Sequence, residues 1–327
     1  MKNGISNTFD AMGKGLFASL IIGIIFTELG KTFSLEFLVE LGEIAKLFMG
    51  PCIAISIAKK LKYQQMTTSV SVIVGAIGAG SIVGSKLVVG DPLLCLLVTS
   101  IVLYISNKIE KNRVLDIFLI PIFSIVLAML FYNLLFPISE IMLGISMFIN
   151  DSLTYFPIIA AVFISLIFAV AISGPFSSAA LAIILSINGQ VAFVALCATS
   201  AQMVGFFVMG LKDNGFINSL LVLFGSSKLQ LKNIVNNRLV FIPPLITSVI
   251  VGVMSTFFGG INSTMEAAGM GTCALVGQIL TINNNLGNEN IFLIILILNF
   301  ILPCLICYSI YYLFRRKNLI KKGELKL

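Results

Sequence analysis

"FLIILILNFILPCLICYSIYYLF", Phe292–Phe314, runs for 23 residues without a charge. At 1.5 Å of rise per helical residue, a run of this length covers the roughly 30 Å of hydrocarbon in a bilayer. Strands of a membrane barrel alternate apolar and polar residues, whereas this stretch is apolar on every face. It reads as a lipid-spanning helix, and similar runs recur along the chain.

Composition agrees. Of 327 residues, 58% are hydrophobic and only 11% are charged, and the mean hydropathy is +1.06. A soluble domain carries about 25% charged residues. The chain is therefore read as an all-α, polytopic integral membrane protein. The net charge of +7 comes from short basic clusters between apolar runs. That is positive-inside patterning, not a nucleic-acid footprint. The six cysteines sit in apolar segments; Cys304 and Cys307 have CxxC spacing, but no second pair and no histidine accompany them. They read as small buried hydrophobes. The first apolar run ends in "FTELGKTF" without a small-residue cleavage site, unlike a signal peptide. No serine–histidine, zinc or Walker arrangement occurs, so no self-contained catalytic site, metal or cofactor is expected.

Apolar length predicts about ten spans: Leu16–Phe33, Phe37–Ala58, Met66–Val89, Leu93–Ser106, Leu115–Leu135, two within Ile158–Ile187 meeting near Gly174, Val191–Leu211, Leu239–Phe258 and Ile291–Phe314. One membrane-embedded domain results, with an N-terminal span group over 12–135, a C-terminal group over 154–314 and a basic tail over 315–327. Gly75, Gly78, Gly80 and Gly84 in the third span predict close helix approach. Glu28, Glu40, Glu43 and Lys46 are expected to pair in the protein interior. Lys86 and Asp91 are expected to form an interfacial ion pair. "FPISEIMLGISMFINDSLTYFP", Phe136–Pro157, has no Lys or Arg and reads as an interfacial segment. The basic loops Lys59–Lys62, Lys108–Arg113 and Lys212–Arg238 fall on one side with both termini, which places the termini in the cytosol. This count closes only if the segment over about 262–282 is a re-entrant hairpin.

Two small-residue motifs interrupt the apolar runs, "GPFSSAALAI" at Gly174–Ile183 and "AAGMGTCALVGQ" at Ala267–Gln278. Broken helices in paired positions point to a midplane binding site. Candidate substrate-binding residues are Ser173, Gly174, Ser177, Ser178, Gln202, Glu266, Gly269, Gly271, Thr272 and Gln278. Glu266 is either a carboxylate accepting solute hydroxyls or a solvated interfacial group. The amides of Gln202 and Gln278 suit a polyol, or else bond helix to helix. The serines line a site or back-bond to helix carbonyls. The glycines expose backbone to a ligand or merely pack.

Several spaced motifs carry a resemblance: "SGPFSSAALAI", "NGQVAF", "CATSAQMVGF", "KDNGF", "IPPLITSVIVG" and "AAGMGTCALVGQI", with "GDPLLCLLVTSIVLYISNKIEKNRVLDIFLIP" in the first half. Over nearly its whole length the chain resembles the enzyme IIC-like membrane component of the bacterial sugar phosphotransferase system. The similar branch includes toxin-gene regulators of the perfringolysin-regulator type. The resemblance implies a homodimeric carrier of a sugar or polyol in the bacterial inner membrane, with phosphoryl transfer from soluble IIA and IIB partners in trans. Many relatives use a histidine and a glutamate near the sugar, and this sequence contains no histidine. Two alternatives stand beside the carrier. One is a membrane sensor or regulator that binds a solute or protein without transport, signalling through Lys212–Arg238 and the tail. The other is a channel.

Overall fold

A computed structural model describes residues 2–83, 86–111, 113–174 and 177–327. The described chain is helical apart from one small antiparallel hairpin, and it divides into two compact units, Met1–Gly144 and Ile145–Leu327.

In the first unit, α1 (Lys2–Leu16) passes through a π-helical turn (Phe17–Ile21) into α2 (Ile22–Thr32). The helices α3 (Glu36–Leu47) and α4 (Met49–Lys60) meet at a 53° bend. α5 (Gln65–Gly78) leads into the hairpin β1 (Ile82–Val83) and β2 (Lys86–Leu87), followed by α6 (Pro92–Ile109). α7 (Asp116–Tyr155) carries the chain into the second unit.

Glycines fix the crossings here. A Cβ on Gly75 of α5 would lie 2.6 Å from Ala54 Cβ and 2.8 Å from the carbonyl carbon of Gly50. Only bare backbone fits, which is the small-residue packing of membrane helices. Cys95 of α6 fills the notch, its Sγ 3.5 Å from Gly50 O and 3.6 Å from Gly75 O. Gly78 packs on Val98. Gly80 instead turns the chain at φ +66°, where L side chains are disfavoured. Gly84 and the side chain of Lys86 lie outside the described residues. Asp91 caps α6, its Oδ1 accepting from Leu93 N at 2.7 Å and Leu94 N at 3.1 Å.

The acidic residues of the first spans do not gather in the interior. Lys31 bonds Glu28 at 3.1 Å and Lys46 bonds Glu43 at 2.6 Å, both three residues apart along their helices. Glu43 and Glu40 are exposed. Helical spacing brought each pair together locally, with one partner of each pair, Lys31 and Glu43, exposed.

Like Asp116, Glu110 is a buried carboxylate of this unit. Its Oε1 accepts from Met66 N at 2.9 Å and its Oε2 from Thr67 N at 2.8 Å, while its carbonyl takes Gln64 Nε2 at 2.9 Å. It thus caps α5 from 43 residues away, satisfying free N–H groups at the positive end of that helix. Glu110→Ala should leave both amides unpaired and cost about 1–3 kcal/mol. A lowered thermal midpoint in detergent checks this, with the exposed Glu40→Ala as the unaffected control.

The second unit contains α8 (Pro157–Ser173), α9 (Ser178–Ile184), α10 (Gly189–Phe224), α11 (Leu231–Asn236) and α12 (Ile242–Ser255). Then come α13 (Met265–Ala268), α14 (Val276–Asn284), α15 (Ile291–Leu296), a π-helical turn (Ile297–Ile301) and α16 (Leu302–Arg316). α10 is the central element. Its most apolar window is 94% buried, and α8, α12 and α16 all pack on it. Its alanines and Gly205 permit this: a Cβ on Gly205 would come within 3.0 Å of both Cys307 Sγ and Pro244 Cβ.

The protein is a multi-pass membrane protein, but the expected ten spans are not found. Six helices among the described residues are long and apolar enough to cross a bilayer, or seven if α3 and α4 form one bent span. The third expected span divides into 14 helical residues of α5 and the β-hairpin, because "SIVG" and "KLVV" are β-branched and turn-prone. Phe136–Pro157 is no separate interfacial segment, since α7 continues through Pro137 to Tyr155. The second half of Ile158–Ile187 supplies only the 7-residue α9, about 10 Å long, which cannot cross.

Candidate solute site at two paired hairpins

The two small-residue motifs meet, residues 175 and 176 of the first lying outside the described residues. In the first, α8 ends at Ser173, and Ser177 caps α9 by accepting from Ala180 N at 3.2 Å. In the second, α13 is followed by a 3₁₀ turn (Cys273–Leu275) and α14. The chain enters α10 beside the second motif: Gly189 and Ser263 exchange two backbone bonds of 3.0 Å. Deeper in, Ser178 Oγ donates to Gly269 O at 2.6 Å. A Cβ on Gly269 would stand 2.6 Å from Ala179 Cα. The motifs are in backbone contact, and Gly269 is what allows it.

The second hairpin rests on α10 through polar side chains. Thr199 Oγ1 donates to Ala268 O at 3.1 Å. Gln278 Nε2 donates to Ser200 Oγ at 3.0 Å and to Gly271 O at 3.3 Å, while its Oε1 is buried without a partner. Gly271 has φ +57° and sits where a Cβ would strike Met203 Sδ and Ile172 Cδ1. Thr272 Oγ1 donates to Leu223 O, on the C-terminal part of α10. Ala274 and Leu275 follow in left-handed backbone, φ +46° and +59°. Such conformations in non-glycine residues cost about 1–3 kcal/mol each and cluster at ligand clamps.

Ser178, Gly269, Gly271 and Gln278 therefore belong to one assembly. Ser177 supports it as a cap and Thr272 as a tether. Three candidates stand apart. Ser173 bonds Ser227 Oγ at 3.4 Å, and Ser227 in turn donates to Ile172 O at 3.0 Å. Gly174 closes α8, its N–H donating to Ala171 O at 3.3 Å. Gln202 accepts from Ser248 Oγ of α12 at 2.9 Å, with its Nε2 buried and unpaired. Glu266, in the first turn of α13, is half-buried and has no hydrogen-bond or ion-pair partner among the described residues. Beside it, Thr264 Oγ1 is buried without a partner.

Sequence reasoning missed Thr199 and Ser200. Both stand in "CATSAQ", where two hydroxyls in an alanine-rich apolar helix could have marked a polar contact. It also missed the Ser263–Thr281 pair, whose hydroxyls lie 2.7 Å apart and join the hairpin's two arms. An apolar cavity of about 460 Å³, lined by Phe148, Phe156, Phe163, Phe168, Leu185 and Val191 among others, includes none of the candidates. It offers no donors or acceptors to a sugar beyond Ser152.

The family profile described as "Phosphotransferase system, EIIC" matches residues 6–327. The chain belongs to that family. Membership makes it the membrane permease component of a sugar phosphotransferase system, with a sugar as substrate and phosphotransferase partners acting in trans. Compared with curated proteins and with solved structures, the chain matches none. In this EIIC protein the paired motifs supply hydroxyls and side-chain amides, and the sequence contains no histidine. Such a set can bind and release a neutral polyhydroxylated molecule without forming a covalent bond to it.

Proposed function

We propose that the sugar or polyol binds where the α8–α9 and α13–α14 hairpins meet, and that separating and rejoining the hairpins carries it through the membrane. The observation that carries this reading is the Ser178–Gly269 bond beside the unpaired Oε1 of Gln278. A buried acceptor without a donor costs roughly 1–3 kcal/mol, and a solute hydroxyl is the natural donor. Hydroxyls can also take over Ser178 Oγ and Gly269 O, so the apo contact is exchanged for ligand contacts without stranding polar groups. Glu266 and Thr264 extend the polar surface outward from α13. The solute class is a neutral sugar or polyol, since Glu266 is the one ionisable group among the candidate residues. Soluble partners in trans would then phosphorylate the sugar after delivery to the cytosol, the side on which positive-inside patterning puts both termini.

Thermal unfolding of the purified protein against sugars, polyols and their phosphates tests the proposal. A solute that binds only the folded protein at 100 times Kd adds about 2.7 kcal/mol of stability. One stereochemical class should raise the midpoint, and Glu266→Gln should weaken that response. Uptake of the same sugar into liposomes should follow. No response to any solute would count against a site here.

A further inference from the structure

The segment after α16 is not a loose basic tail. Ile320 and Leu325 are 1% and 0% exposed, packed into a cluster with Phe206, Met209, Val222 and Tyr311. Its backbone is read by side chains from α10 just before its break at Gly215, from α11 and from the turns on either side of α11. Asp213 Oδ2 accepts from Gly323 N at 3.0 Å and Leu325 N at 3.2 Å. Asn214 Nδ2 donates to Leu325 O at 2.8 Å, and its Oδ1 accepts from Leu327 N at 2.8 Å. The fully buried Gln230 donates to the same Leu325 carbonyl at 3.0 Å, and Asn233 donates to Lys326 O at 3.0 Å. Asn237 Nδ2 holds Glu324 Oε2 at 2.8 Å.

The region that grips the tail also holds both hairpins. Between Asp213 and Gln230 lies a short helical plate, Phe216–Phe224, bounded by two glycines. Gly215 breaks α10 at φ +74°, where an added Cβ would meet nothing within 4 Å, and Gly225 ends the helix. Leu223 O, on this plate, receives the Thr272 hydroxyl of the second hairpin. Ser227, just beyond it, donates to Ile172 O and accepts from Ser173 at the foot of the first. Val222, next to Leu223, packs in the tail's own cluster.

From this chain of contacts we infer that residues 319–327 form a latch, whose docking fixes the plate and through it the two hairpins. Undocking the latch frees the plate to swing on Gly215 and Gly225, and the second hairpin loses its tether at Thr272. Local opening of this kind raises solvent access in one cooperative segment and leaves the rest of the molecule closed.

Cys273, beside Thr272, reports on it without reference to any sugar. The full-length protein in nanodiscs is treated with N-ethylmaleimide, and labelling at each cysteine is followed by peptide mass spectrometry. Cys52 in the first unit serves as the internal reference. Two variants are compared with wild type: deletion of Lys321–Leu327, and Gln230→Met, which weakens docking while leaving the tail's apolar contacts. Cys273 labelling should rise roughly tenfold in the deletion and less in Gln230→Met, with Cys52 unchanged. Labelling of Cys273 at the wild-type rate in either folded variant would overturn the latch. So would Cys273 and Cys52 rising together, which would make the tail a general staple of the fold.

Discussion

Gly269→Ala is expected to separate the two hairpins, lowering sugar affinity by about tenfold or more, ~1.4 kcal/mol, and lowering the thermal midpoint as well. The added methyl would meet the carbonyl of Ser178 and stand 2.6 Å from Ala179 Cα. These are backbone atoms of a capped helix and cannot turn aside as a flexible side chain can. Overpacking of this kind costs about 1–3 kcal/mol, and relief requires α9 to withdraw from α13. Withdrawal breaks the Ser178–Gly269 bond and disperses the groups proposed to receive the solute. Gly287→Ala is the control, since a Cβ there meets nothing within 4 Å. Isothermal titration with the sugar found in the thermal screen, alongside the unfolding midpoint, gives both readouts. Wild-type affinity in Gly269→Ala would show that close approach of the motifs is not needed for binding.

Gly269 also shows what was legible in the sequence. Small, weakly helical residues inside an apolar run are informative because lipid gives no reason to use them. The motif at Ala267–Gln278 is expected on that ground to open its backbone, while the hairpin over about 262–282 rests on closing the span count; short helices at Met265–Ala268 and Val276–Asn284 occupy that segment. Gly75 was read as a close crossing for the same reason, though its partner Gly50 could not be named, because no local pattern encodes a contact between helices. Span counting failed where length was the sole criterion. Apolar runs do not distinguish a crossing helix from α5 followed by a β-hairpin, or from the 7-residue α9. The serines were ambiguous for a related reason: Ser177 caps a helix, Ser178 bridges two motifs and Ser173 reaches a distant loop, yet all three are the same residue type within one short stretch. "KDNGF" was visible as a motif, but Asp213 bonds residues 110 and 112 positions away, beyond any periodicity argument.

Gln278→Leu should separate binding from stability. Leucine fills a comparable volume with a side chain one atom shorter and brings no polar atom. In the apo protein Gln278 Nε2 makes two bonds, to Ser200 Oγ and Gly271 O, while Oε1 is buried with none. Here the substitution removes two ordinary hydrogen bonds, about 1–3 kcal/mol together, and it also removes an unpaired acceptor that costs about 1–3 kcal/mol to bury. The two contributions offset each other, so the expected apo midpoint stays close to that of wild type. Sugar affinity should fall by about tenfold or more, since a hydrogen bond to an otherwise unpaired buried group contributes more than ~1.4 kcal/mol to binding. Gln202→Leu provides the contrast. Its Nε2 is likewise buried without a partner, but its Oε1 is bonded to Ser248 of α12 and it stands apart from the hairpin assembly, so it should change sugar affinity less. A lower midpoint with unchanged affinity in Gln278→Leu would assign this amide to helix packing and move the solute site away from the α13–α14 hairpin.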